Sequence, residues 1–243
     1  MLRLPLLTHT FPMPVRALHQ IEISSRCNLR CTYCPSPNLG RPKVDMDRQT
    51  YGRALMWVRH FVQQGTQDAI NLAGIGESTL HPRFIDYLRL AREAIGETGQ
   101  VIFATNGLIA DEDFVKQMVP YRPDVWVSLH RPEKAGRAVD TYARHGLLRG
   151  VSVDPSLNPN DWAGQVNWVK PAQPVLPCQW LREGKIVAFA DGRLSTCCLD
   201  ASGIGFIGHV NNVIGTVLTK PYKLCASCYQ EIGVTGYDQR GNP

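Results

Sequence analysis

Residues 20–34, QIEISSRCNLRCTYC, decide how this chain is read. Ile21 and Ile23 alternate with polar neighbours, the period of a half-buried strand over 20–24. The strand runs straight into Cys27, Cys31 and Cys34, three cysteines within eight residues. Thiolates are soft, strong iron ligands, and spacings of two or three residues let one loop wrap the corner of a cubane. A [4Fe–4S] cube takes four ligands, so three cysteines leave one iron open to a cofactor or substrate, much as a catalytic zinc keeps an open position. A zinc knuckle or buried free thiols would use the same residues. Zinc needs a fourth ligand, and His19, the candidate, lies across the strand.

The remaining cysteines extend the pattern. The chain has eight in 243 residues, and after Cys34 none occurs until Cys178, followed by Cys197, Cys198, Cys225 and Cys228. Two tight groups separated by a long gap point to two metal sites; a disulfide framework belongs to small secreted chains. The N-terminal apolar stretch is broken by Pro5, Pro12 and Pro14 and leads to no small-residue cleavage site, so a cytoplasmic protein is expected. No apolar run approaches the roughly 18 residues of a membrane span. The net charge of +5 and pI of about 8.8 are mild and come without a long Lys/Arg run. Any nucleic-acid binding would need a local patch.

Strands and helices alternate after the first cysteine loop. Asp47 is placed to cap a helix whose stripe is Tyr51, Leu55, Val58 and Val62. A strand over 69–73 precedes a helix from Pro82 that carries Phe84, Leu88 and Ile95 and stops near Gly96 and Gly99. Strands over 101–104, 125–129 and 148–153 are separated by helices over 111–119 and 133–144. Short strands alternating with helices imply βαβ units and a parallel sheet. Five prolines between 155 and 177 mark a linker. Beyond it, 185–190 and 193–197 flank Asp191-Gly192, a two-residue hairpin signal. A short closing helix is expected over 225–231.

The spacing Cys27-x3-Cys31-x2-Cys34, with Tyr33 before the last cysteine, resembles the radical S-adenosylmethionine superfamily. That resemblance implies an α/β fold, a partial (β/α)6-type barrel, in which the open iron chelates S-adenosylmethionine. Its reductive cleavage then gives a 5′-deoxyadenosyl radical that takes hydrogen from substrate. Tyr33 would pack beside the adenine. Gly74-Ile75-Gly76-Glu77, closing the second strand, is similar to the family's glycine–glutamate motif at the cofactor's amino group; glycines admit close approach and a carboxylate suits an ammonium. Asn106 of the Thr105-Asn106-Gly107 turn, Ser128 at the ribose position and His130 are the further cofactor-binding candidates. All stand at strand C-termini, where parallel βα folds keep their chemistry. The segment 150–154 lacks the family's glycine pattern, and adenine contacts are not assigned there.

Cys178, Cys197, Cys225 and Cys228 resemble the Twitch relative of the SPASM auxiliary-cluster domain, with Gly192-x4-Cys197 as its glycine–cysteine step. Four thiolates would saturate a second [4Fe–4S] cluster for electron transfer; a zinc tetrathiolate uses the same set. Cys198 is the spare, a small hydrophobe, an alternative ligand or a thiol facing the cavity. The resulting organisation is an extension over 1–18, a core over 19–154, a linker over 155–177, an auxiliary domain over 178–233 and a tail over 234–243. The layout resembles compact dehydrogenases of the family with one auxiliary cluster. It implies a small polar or nucleotide-like substrate, dehydrogenation or isomerisation, and a flavodoxin- or ferredoxin-type donor. A nucleobase in nucleic acid is an alternative, with Trp162, Trp168 and Trp180 beside Lys170, Arg182 and Lys185 as an aromatic–basic surface. A peptide substrate is another, although many peptide-modifying relatives carry an added recognition domain. A non-catalytic iron–sulfur carrier or sensor is the reading of a different class.

Overall fold

In a computed structural model, residues 12–152, 162–166, 176–228 and 230–231 are described. Parallel strands β1 (Ala17–Ile21), β2 (Ala69–Asn71), β3 (Gln100–Thr105), β4 (Asp124–Ser128) and β5 (Leu148–Ser152) lie side by side in chain order. Helices α1 (Arg48–Gln63), α2 (Phe84–Ile95), α3 (Glu112–Lys116) and α4 (Pro132–Arg144) form the connections. The sheet stays open at both edges, so the fold is α/β, a partial barrel.

Local chemistry sets these elements. The Asp47 carboxylate accepts from the Thr50 backbone N–H at 2.9 Å and its hydroxyl at 2.7 Å, which fixes the start of α1. The buried stripe of α1 is Tyr51, Ala54, Leu55, Trp57, Val58 and Phe61. Tyr51 stacks on Tyr87 of α2 with centroids 4.0 Å apart and rings nearly parallel. Each tyrosine hydroxyl finds a backbone carbonyl, Tyr51 on Tyr87 and Tyr87 on Met46. The aromatic area is thereby buried without an orphaned donor.

Several expectations are corrected. The first strand runs over Ala17–Ile21 and not 20–24, and beyond it Ser24 makes only an isolated bridge to Asp45. The α3 helix is five residues long and is followed by a 3-10 turn at Val119–Tyr121 that carries Pro120 in its middle. The hairpin loop is wider than two residues. Phe189 N–H donates to Arg193 O and Gly192 N–H to Phe189 O, with Gly192 at φ +84. That is a three-residue loop closed by a left-handed glycine.

The C-terminal hairpin is part of the main sheet. Its strands β6 (Lys185–Ala188) and β7 (Arg193–Ser195) are antiparallel, and β8 (Phe206–His209) adds to them. Strand β6 pairs in parallel with β1, Leu18 opposite Ile186 and Ile21 opposite Ala188, giving the order β8-β7-β6-β1-β2-β3-β4-β5. Trp57 of α1 donates to Val210 O at 2.9 Å, tying this part to the core. The closing segment is a 3-10 turn at Lys223–Ser227, followed by Gln230–Glu231 paired with Leu176–Pro177 in place of the expected helix. Among the described residues no helix is long and apolar enough to cross a membrane. Most of the proline-rich linker, with Trp168 and Lys170, and the tail over 234–243 lie outside the described residues.

Candidate functional site

The C-terminal ends of β2, β3, β4 and β5 and the loop after β1 border one cavity of about 320 Å³. Cys27, Cys31 and Cys34 line it together with Tyr33. Gly74, Gly76 and Glu77 contribute from the turn after β2, Asn106 from the turn after β3, and Ser128 and His130 from the end of β4. Every candidate of the first group thus faces a single space.

Sterics explain the glycines. A Cβ on Gly76 would sit 2.2 Å from Ser24 O and 2.6 Å from Arg26 O, the backbone that leads into Cys27. A Cβ on Gly74 would sit 2.3 Å from Glu22 Cγ. The turn after β2 is pressed onto the cysteine loop, and Glu77 N–H donates to Arg26 O at 2.7 Å.

Glu77 is buried and its carboxylate is already engaged. Oε1 accepts from the Thr79 hydroxyl at 2.6 Å and the Thr105 hydroxyl at 2.8 Å, and Oε2 accepts from Asn106 N–H at 2.7 Å. Burial pushes its pKa above the usual carboxylate range, while these hydrogen bonds pull it down. Glu77 therefore ties the β2 turn to the β3 turn besides bordering the cavity. Asn106 passes the link on, its side-chain N–H donating to Asn28 Oδ1 at 2.8 Å inside the cysteine loop.

Tyr33 and His130 meet across the cavity, hydroxyl to Nδ1 at 2.6 Å. Burial pushes the His130 pKa down, favouring a neutral ring at pH 7.

The second cysteine group lines a separate cavity of about 160 Å³. Cys178, Cys197, Cys225 and Cys228 all border it, and so does Cys198. Burial pushes the Cys178 thiol up to about 12 and the Cys225 thiol to about 11. Cys197 is pushed up first by its hydrogen bond with Cys198 and then by burial. Burial likewise raises Cys27 and Cys34 in the first cavity. A bound cation reverses this order and draws off the thiol protons.

Both sets offer thiols, the donor chemistry that an iron–sulfur cube takes. Backbone N–H groups point at the sulfurs two residues back: Leu29 to Cys27 and Ser36 to Cys34 at 3.4 Å, Leu199 to Cys197 at 3.3 Å. Such donors stabilise thiolate and tune cluster potential. Each cavity also holds a buried hydroxyl that finds no partner among the described residues, Ser36 in the first and Thr196 in the second. A sulfide or cofactor acceptor would satisfy each.

The sequence reading missed several residues here. Asn28, Ser36 and Ser152 carried no motif, yet Asn28 anchors Asn106 and the other two border the first cavity. Ser152 stands at a strand C-terminus, the one signal that could have found it. Trp162 borders the first cavity and its neighbour Ala163 the second.

A family profile described as the radical SAM superfamily matches residues 21–152. A curated relative from Pyrococcus furiosus, the tungsten-containing aldehyde ferredoxin oxidoreductase cofactor-modifying protein, is 31% identical over 105 residues. That stretch is 43% of this chain and 28% of the relative, so the match spans less than a third of that protein. The structure of BtrN in complex with AdoMet and 2-DOIA superposes with a TM-score of 0.65 at 17% identity, over 84% of this chain and 80% of that one. The AdoMet-bound structure of anSMEcpe superposes with a TM-score of 0.57 at 17% identity, over 84% and 79%. At these identities the two structures speak for the fold.

Proposed function

Because the chain belongs to the radical SAM superfamily, we propose that it cleaves S-adenosylmethionine reductively and abstracts hydrogen from a small polar or nucleotide-like molecule, dehydrogenating or isomerising it. The observation that carries this reading is the first cavity, where three thiols meet the ends of four parallel strands. A [4Fe–4S] cluster on Cys27, Cys31 and Cys34, with the cofactor, supplies the abstracting radical when bound. The residues of the chain bind and orient. Gly74 and Gly76 keep the turn free of side chains, so backbone carbonyls can meet an ammonium. Glu77 and Asn106 hold that turn against the cysteine loop. Leu29, Ala73, Ile75 and Ala104 give the cavity an apolar wall that limits water around a reactive species. His130, held at Nδ1 by the Tyr33 hydroxyl, leaves Nε2 to meet a polar group of the substrate.

A second [4Fe–4S] cluster on Cys178, Cys197, Cys225 and Cys228 is part of the proposal, supported by four sulfurs around one cavity. Residues 178–233 then serve as the auxiliary-cluster segment, electrons entering from a flavodoxin- or ferredoxin-type donor. The Pyrococcus furiosus relative, named for modifying a cofactor, fits the small-substrate class. Anaerobically reconstituted, dithionite-reduced protein should convert S-adenosylmethionine to 5′-deoxyadenosine, and Cys27→Ala should not. Absence of 5′-deoxyadenosine from iron-replete wild type would leave the carrier or sensor reading.

A further inference from the structure

Between the two cavities lies a buried ion pair that neither cysteine group requires. Glu22 follows β1, and Arg41 ends the loop that carries the first cysteines; their side chains are 1% and 2% exposed. The contact is bidentate, Nη1 to Oε1 at 2.7 Å and Nη2 to Oε2 at 2.6 Å. The remaining capacity of both groups reaches outward. Glu22 Oε2 accepts from Ile75 N–H at 3.0 Å, within the turn after β2, and Oε1 accepts from Ala190 N–H at 3.3 Å, in the hairpin loop. Arg41 Nε donates to Ala201 O at 2.7 Å, just beyond Cys197 and Cys198, and its guanidinium lies 4.4 Å above the Phe189 ring.

A buried pair of this kind gives little stability over apolar side chains of the same shape, while loss of one partner is strongly destabilising. What it provides is fixed direction, since a bidentate fork tolerates one geometry. Gly74 leaves the room it needs. We propose that Glu22 and Arg41 are positioning residues that hold the 74–77 turn in register with the loop bearing Cys197, so that S-adenosylmethionine binding in the first cavity depends on them. The proposal rests on the reading of that cavity as the cofactor site.

The test uses full-length Glu22→Gln and Arg41→Lys variants. In reconstituted protein, iron content stays at the wild-type level. The S-adenosylmethionine dissociation constant, read by equilibrium dialysis well below the melting temperature, rises about 10- to 100-fold in Glu22→Gln. Arg41→Lys keeps the charge with a single donor and shows a smaller rise. In metal-free protein, amide exchange accelerates together in peptides 72–78 and 188–203. A purely structural role would lower the melting temperature and leave the dissociation constant unchanged. An unchanged constant in an iron-replete variant, or faster exchange in only one of the two peptides, overturns the proposal. Should Glu22→Gln not fold, Arg41→Lys carries the same readouts. Failure of wild type itself to bind S-adenosylmethionine refutes the functional reading instead, and the exchange experiment still tests the linkage.

Discussion

Gly76→Ala is the sharpest single-atom perturbation of the first cavity. The added Cβ would lie 2.2 Å from Ser24 O against 3.4 Å for ordinary contact, a shortfall of about 1.2 Å. The obstructing atoms, Ser24 O, Arg26 O and Ser25 C, are all backbone, so no side chain can swing aside. Either the turn or the strand-to-cysteine loop must move by that amount. Overpacking of this sort costs about 3 kcal/mol at the upper end of its range. At about 2–4 °C per kcal/mol for a chain of this size, melting should fall by about 6–12 °C. The displaced segment leads directly into Cys27, and a misplacement of ~1 Å at a reacting centre costs about 100-fold in rate. Circular-dichroism melts of metal-free protein and 5′-deoxyadenosine formation by reconstituted protein measure the two effects separately. A variant that melts within a degree of wild type and keeps its turnover refutes the close approach of turn and loop.

Gly52 in α1 and Gly136 in α4 provide the contrast, because a Cβ at either meets nothing within 4 Å. Alanine at each should add about 0.5–1 kcal/mol, raising the melting temperature by about 1–4 °C. For Glu77 the prediction concerns pH. Its folded pKa is raised above the ordinary 4.5, chiefly by burial, so protonation favours the fold. Relative to Glu77→Gln, wild type should gain stability as pH falls from 7 through the folded value, then level off below 4.5. Urea unfolding at a series of pH values checks this, and a flat or opposite trend contradicts the burial. A Cys225→Ala/Cys228→Ala protein should retain about four of about eight irons after reconstitution. Loss of all iron would mean that the two groups are not independent.

Local signals carried much of this molecule. The Asp47 cap, the apolar stripe of α1 and the alternation of strand and helix needed only neighbours a few residues away, and the structure bears them out. The cysteine triad, the 74–77 turn and Asn106 were visible for the same reason, since each is a motif contained in one turn. Glu22 was not. In the stretch IEIS it sits where an alternating strand turns its polar side to water, and the sequence holds no sign that this side is covered. Its partners lie 19, 53 and 168 residues away. Contacts that distant leave no periodicity to read. The pairing of β6 with β1 escaped for the same reason, since the hairpin's composition describes its own turn and not the strand it will lie against. The first strand itself was displaced by three residues because Ile23 continues the apolar alternation after the ladder to β2 has ended.

The seat of β6 beside β1 bears on how the chain folds. Strand β1 finds β2 on one side soon after it is made, but its other ladder partner is Lys185–Ala188. As the chain leaves the ribosome, one edge of β1 must wait with bare N–H and C=O groups until nearly the whole sequence has emerged. Closure of that long loop makes the last step a slow, non-local one. A fragment ended after Ser152 would keep every residue matched to the family and still expose this edge. Such a fragment should associate through β1 unless the hairpin is supplied, because the strand that leads into Cys27 is covered on that edge only by the C-terminal hairpin.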